Sequence, residues 1–365
     1  MTKPNILFIA PIKQFCGWGS ASKDYARALS TIGNVTVRNI FLSNQREKKL
    51  PPDIQILEDT TYDKYDIIIQ KALPSFYYYD GRFTQNIGMM VFETELNNHS
   101  WFNNMNLMDK MLVPSYLEKR WLDQKIKSPV FNVSEPIDIT VAQKQYPSLN
   151  EVMADKNVFK FLFIGESIPR KGIRELLQAY FQEFTINDNV LLVIKTSGDI
   201  SQEINNTRRS MRRFVEDTKY PPVFLIPTRI SEDQINSLHQ DSHVLVMPSY
   251  GEAFNRPAAK SLCFNKPIIA TDGTGMMDYL NHDLGFVLKS TREQVFSATP
   301  PIYNLYTSEE IYHVPNILHL RDCMRQMVKK PDLYKNFCSN IKKSNVISKF
   351  SYETVGQKIL EAINK

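Results

Sequence analysis

The stretch GEAFNRPAAKSL, residues 251–262, sets a carboxylate, Glu252, in a turn and an ammonium, Lys260, eight residues later. The apolar run HVLVMPS before it reads as a strand, and Pro257 suits the first turn of the helix that follows. Backbone N–H groups at such a helix start, near Asn255 and Arg256, can cradle an anion. A second turn of this kind is GESIPRKG, 165–172, which puts Arg170 and Lys171 just before Gly172 and the helical pattern IRELLQAY. Two cations at the head of a helix make a diphosphate site, although a basic loop in solvent has the same composition. In a third turn, FCGWGSAS, Gly17 and Gly19 bracket Trp18. Glycines there let backbone approach a ligand closely. An ordinary tight turn fits them equally, and the spacing is not GxGxxG.

The elements that must position these turns alternate along the chain. NILFIA, NVTVRNIF, YDIIIQKA, NIGMMVFETE, DKMLVPS and SPVFNVSEPID read as strands, with helical patterns at SASKDYARALSTIG and SYLEKRWLDQ. The alternation restarts at KFLFIGE and runs through NVLLVIKTSG, PVFLIPT, HVLVMPS and PIIATD, each followed by a helical or turn segment. The polar stretch around 140–157 separates the two series and reads as a linker. The expectation is an α/β chain of two Rossmann-like domains facing a cleft, 1–150 and 151–349, with a last helix at 350–365. Ligands of such sheets bind at the carboxyl ends of the strands, where the three turns lie. In the last segment Val355, Ile359 and Ile363 recur at helical spacing.

Composition narrows the class. With 365 residues, 42% hydrophobic and 23% charged, the chain is neither disordered nor short of a core. No apolar run reaches the roughly 18 residues that a membrane span needs, and the N-terminus reads as a first strand rather than a signal peptide. Cys16, Cys263, Cys323 and Cys338 lie far apart without CxxC spacing, which suits reduced thiols in a cytoplasmic protein and not a metal site. The net charge of +5 is uneven, with nine Lys/Arg against three Asp/Glu from Met324 to Lys365. This tail and RRSMRR, 208–213, are either solvated helix faces or a peripheral contact with an anionic surface, a membrane or a nucleic acid. Residues 1–140 carry 16 Lys/Arg against 15 Asp/Glu, too balanced for a nucleic-acid surface.

Together the segments FLFIGESIPRKGIRELLQAYFQEF and ISEDQINSLHQDSHVLVMPSYGEAFNRPAAKSLCFNKPIIATDGTGMMDYL resemble the donor domain of the family 4 retaining glycosyltransferases, which have the GT-B fold. MMVFETELNNHSWFNNMNLMDKMLVPSYLEKRWL resembles the first half of polysaccharide-building, mannosyltransferase-like members. The resemblance implies a retaining transfer of a sugar from a nucleotide-diphosphate sugar to an acceptor hydroxyl on a glycan or lipid carrier. Glu252 matches the carboxylate near the transferred sugar, Lys171 the cation on the diphosphate, and Gly17 and Gly19 the loop approaching donor phosphate and sugar. Arg170 or Arg256 would stand in for an arginine whose place is taken by Glu166. Glu93 and His99 are candidate general bases, Glu93 being the matched residue. The last helix would cross back onto the first domain. No Asp-x-Asp motif suggests a metal, and the donor is the only small molecule implied.

One residue departs from the family pattern of a glutamate, seven residues and a second glutamate. Lys260 stands where a ribose-binding carboxylate is expected, and an ammonium has no acceptor for ribose hydroxyls. It would approach a phosphate, pair with Glu252 when no donor is bound, or turn to solvent. This departure and Glu166 keep open a catalytically impaired sugar-nucleotide-binding protein, while the basic tail and RRSMRR keep open a transferase acting on modified nucleic acid.

Overall fold

A computed structural model describes residues 3–42, 47, 49–95, 98–211, 219–295, 305–307 and 309–365. The chain forms two compact units, Met1–Ile139 with Ile347–Lys365, and Thr140–Val346.

The first unit holds six parallel strands: β1 (Asn5–Ala10), β2 (Asn34–Asn39), β3 (Ile67–Lys71), β4 (Gln85–Met89), β5 (Lys110–Val113) and β6 (Val130–Asn132). Their order is β2-β1-β3-β4-β5-β6. Near-continuous apolar runs suit them because a parallel sheet is covered on both faces. Ile6, Phe8, Ile67 and Ile69 are buried, together with Ala28 and Leu29 of the helix Gly17–Ile32. The last helix, Tyr352–Asn364, adds Val355, Ile359, Ala362 and Ile363 to this same core. Its contact with the helix Gly17–Ile32 is close at Gly356, where a Cβ would lie 2.6 Å from the Ala28 carbonyl oxygen. A helix at Pro52–Asp59 had no counterpart in the sequence pattern, since only Ile54 of its eight residues is buried.

The second unit repeats the plan with β7 (Phe159–Ile164), β8 (Val190–Lys195), β9 (Val223–Ile226), β10 (Val244–Met247), β11 (Ile268–Thr271) and β12 (Gly285–Leu288). All pairings are parallel and the order is β12-β11-β10-β7-β8-β9. The winding reverses between β7 and β10, and a ligand crevice forms at such a switch point. An antiparallel hairpin, β13 (Ser290–Gln294) and β14 (Ile311–Pro315), was not anticipated. The stretch 140–157 is part of this unit. Tyr146 exchanges two hydrogen bonds with Gln240, and the Pro147 carbonyl accepts from Ser237, both on the helix Glu232–Asp241.

Among the described residues no helix is long and apolar enough to cross a membrane. Arg208 lies over the Phe181 ring at 5.0 Å, and Arg325 in the basic tail is paired with Glu183 and Asp188. Arg212 and Arg213 of RRSMRR lie outside the described residues.

Candidate active site

The chemistry-bearing turns of the second unit converge at its switch point. After β7 the chain makes a 3-10 turn, Pro169–Lys171, and passes through Gly172 at φ 70° into the helix Ile173–Glu183. A Cβ on Gly172 would lie 2.0 Å from the Pro248 carbonyl oxygen, so only glycine lets this turn sit against the end of β10. After β10 the chain turns through Tyr250–Asn255 and enters the helix Arg256–Cys263.

The two turns are bonded to each other through both backbone and side chains. Tyr250 N–H donates to the Arg170 carbonyl at 2.7 Å. The Arg170 guanidinium donates to the Gly251 carbonyl at 2.7 Å and stands 3.7 Å from Glu252 Oε2. Lys171 Nζ donates to Glu252 Oε1 at 2.6 Å. Glu252 is 6% exposed and Arg170 9%. Burial alone would push the Glu252 carboxyl up, but the adjacent Lys171 and Arg170 charges and the Lys171 hydrogen bond outweigh it and hold the carboxyl below its ordinary range. The result is a desolvated carboxylate with two cations at the start of a helix, where the helix dipole also favours negative charge.

Asn255 has a structural part as well. Held in the left-handed region at φ 67°, it is the helix cap, its side chain accepting from Ala258 N–H at 2.9 Å. The Tyr279 hydroxyl donates to the Phe254 carbonyl at 2.5 Å and lies 3.2 Å from the Asn255 carbonyl, which pins the turn. Arg256, half-buried, opens the helix. Lys260 does not pair with Glu252: its ammonium lies 2.8 Å from Glu232 Oε2, on the helix Glu232–Asp241. The helix start is occupied by the Asn255 cap and Pro257, and Lys260, one turn on, projects to the neighbouring helix instead. Beside this cluster, a groove of about 610 Å³ runs between the helices Ile173–Glu183 and Ser201–Ser210, lined by Arg174, Gln178, Glu203 and Asn206.

The remaining expected residues belong to the first unit. Gly19 is required by packing, because a Cβ there would lie 1.8 Å from the Gln14 carbonyl oxygen, whereas Gly17 has open space beside its Cα. Trp18, between them, receives the fully buried Lys71 ammonium 4.4 Å from its ring centroid. Glu93 is half-buried in the loop after β4, and His99 is exposed in the 3-10 turn His99–Trp101. Sequence reasoning passed over Glu118, in the first turn of the helix Tyr116–Leu122. Its carboxyl is pushed well up, first by burial and then by the charge of Glu93; the Phe92 backbone opposes this, and the charge of Glu135 adds a smaller push. Ser115 caps this helix, its side chain accepting from Glu118 N–H, but nothing in the helical pattern SYLEKRWLDQ says that the glutamate turns inward.

Residues 149–299, which lie within the second unit, match the family described as Glycosyl transferases group 1. An uncharacterized glycosyltransferase of Methanocaldococcus jannaschii is 27% identical over 129 residues, 34% of this chain and 30% of that protein. The capsular polysaccharide biosynthesis glycosyltransferase CapM of Staphylococcus aureus is 27% identical over 128 residues, 35% of this chain and 32% of that one. The chain spans only 30% to 41% of the length of the curated relatives it matches. Among solved structures, HepE from Anabaena in complex with UDP and glucose superposes with a TM-score of 0.66 at 14% identity, over 99% of both chains. That likeness establishes the GT-B type of fold.

Proposed function

We propose that the chain is a retaining glycosyltransferase that moves a sugar from a nucleotide-diphosphate sugar to an acceptor hydroxyl on a glycan or lipid carrier. The observation that carries this reading is the buried Lys171–Glu252–Arg170 cluster at the β7–β10 switch point. In the reaction the bond from the anomeric carbon to the diphosphate oxygen breaks, and the acceptor oxygen bonds that carbon on the same face. The hydroxyl proton passes to the departing diphosphate. Lys171, Arg170 and the helix start take up the charge that develops on the leaving group, so the protein itself supplies that stabilisation. Glu252 faces the transferring sugar and favours the positive charge that grows at its ring. Glu93 is the acceptor-side carboxylate. A uridine diphosphate donor is the first to test, because HepE is solved with UDP and glucose.

The test is incubation with UDP-sugars, with and without simple glycosides, followed by NMR of the anomeric protons. Release of UDP with an α-configured product from an α-donor supports the reading. Binding of the donor without any release of UDP would leave a sugar-nucleotide-binding protein instead.

A further inference from the structure

Two loops hold the Glu252 backbone, and one hairpin reaches both of them. Gly275 N–H donates to the Glu252 carbonyl at 2.7 Å, tying the loop after β11 to the loop after β10. From the hairpin, His313 N–H in β14 donates to the Tyr250 carbonyl at 2.7 Å, two residues before Glu252. The His313 imidazole lies directly on Gly273, where φ is +65° and a Cβ would come 2.0 Å from the ring's Cε1. The loop after β11 is thus shaped around that ring. His313 is only 9% exposed.

The ring is also oriented. Ser290, in β13, donates its hydroxyl proton to the Asp272 carboxylate, and its oxygen lies 3.1 Å from His313 Nδ1. Since that hydroxyl has one proton and has given it to Asp272, the Nδ1 atom must be the donor in the second bond. The chain His313 Nδ1–H to Ser290 Oγ–H to Asp272 fixes the tautomer and the rotation of the imidazole. The backbone bond fixes the Tyr250 loop and the ring fixes the Gly273 loop.

We infer that His313 is a positioning residue for the Glu252 site, the β13–β14 hairpin setting the two loops between which the Glu252 backbone is held. Its effect on turnover rests on the proposed role of Glu252, whereas its effect on the loops does not. Three variants of the full chain test it: Ser290→Ala, His313→Phe and His313→Asn. Asparagine can place an amide N–H where Nδ1–H stands, while phenylalanine fills the space and cannot donate. Hydrogen exchange of the peptides covering 249–256 and 272–276 is expected to speed up in Ser290→Ala and His313→Phe and to stay near wild type in His313→Asn. Turnover should fall about tenfold in the first two, with the donor KM within about threefold, and recover in His313→Asn. Unchanged exchange in both loops, or a His313→Asn no better than His313→Phe, overturns the inference. Should the wild-type protein transfer no sugar at all, the proposed activity fails, and the exchange experiment still decides the positioning role.

Discussion

Lys171 Nζ stands 2.6 Å from Glu252 Oε1, across 81 residues of chain; Glu252 is almost closed to water and Lys171 is partly exposed. A donor diphosphate that reaches Lys171 must share its ammonium with a carboxylate already ionised. That arrangement keeps Glu252 charged before the sugar arrives. Glu252→Gln should therefore lower turnover at least tenfold, about 1.4 kcal/mol of transition-state stabilisation, while donor affinity changes far less. Steady-state kinetics with a saturating donor read this directly, and an unaltered kcat would take Glu252 out of the mechanism.

Lys171→Ala leaves the buried Glu252 carboxylate with Arg170 at 3.7 Å as its nearby cation. Stranding one partner of a buried pair typically costs about 3–5 kcal/mol. Urea unfolding should show a loss of that order, and the double variant Lys171→Ala/Glu252→Gln should regain much of it. Under native conditions the single variant should also weaken nucleotide-diphosphate binding by roughly 1.5–3 kcal/mol, with nucleoside binding unaltered. Equal weakening of both ligands would show that Lys171 holds the fold rather than a phosphate.

The observed partner of Lys260 changes what its replacement should do. Lys260→Glu faces Glu232 and not Glu252, so its first consequence is like-charge repulsion between two helices. The Glu232 side chain is 74% exposed, and an exposed pair is worth only about 0.2–1 kcal/mol. The variant should lose a degree or two of melting temperature, and Lys260→Glu/Glu232→Lys should recover it. A large loss that the swap does not recover would mean that Lys260 has another task.

The strands of both sheets were legible because parallel strands, covered on both faces, are written as apolar runs such as NILFIA and HVLVMPS. The three turns were legible because Gly17, Gly172 and Pro257 stand at strand ends. What joins Lys171 to Glu252 was not, since nothing in the chain says that β10 lies beside β7; only the winding order does. The β13–β14 hairpin escaped because STREQ is polar and the paired strands are far apart in sequence. The pairing of Lys260 with Glu232 was not legible, because a lysine's partner depends on where the neighbouring helix lies, and periodicity cannot place it. That the Gln14 carbonyl excludes a side chain at Gly19 was not legible either, because the close approach is made by the fold.

Glu118 makes stability depend on pH in a fixed direction. Its folded carboxyl titrates well above the ordinary value of 4.5, so the proton is held more tightly in the folded state. The stability this supplies is fully present below about pH 4.5 and is lost as pH rises toward the folded value, by up to roughly 1.4 kcal/mol per unit. Glu118→Gln keeps the shape without the titration. Across pH 5–8 its unfolding free energy should fall less steeply than that of the wild type, so that the variant gains on it at each step. Parallel curves would mean that Glu118 is ionised in the fold.

The last helix offers the most severe test. Val355, Ile359 and Ile363 are buried among Leu29, Ile6 and their neighbours in the first unit's core. Each such side chain contributes about 1.5–3 kcal/mol, so the three together approach the 5–15 kcal/mol by which a typical domain is stable. The helix end is fastened as well: Lys110 Nζ and Gln85 Nε2 both donate to the Ile363 carbonyl, at 2.6 and 2.9 Å. A cation there also complements the negative end of the helix. Removing residues 350–365 should then unfold the first unit while leaving the second unit, with Lys171 and Glu252, able to bind nucleotide. Gly356→Val is a gentler version, since its side chain would run into the Ala28 carbonyl and Thr31. It should lower the melting temperature of the first unit by several degrees, at roughly 1–3 kcal/mol of overpacking strain. Two melting transitions, of which only one moves in the variant, are the expected calorimetric trace. A truncated chain that melts and binds like the full one would show that this helix is not part of the core.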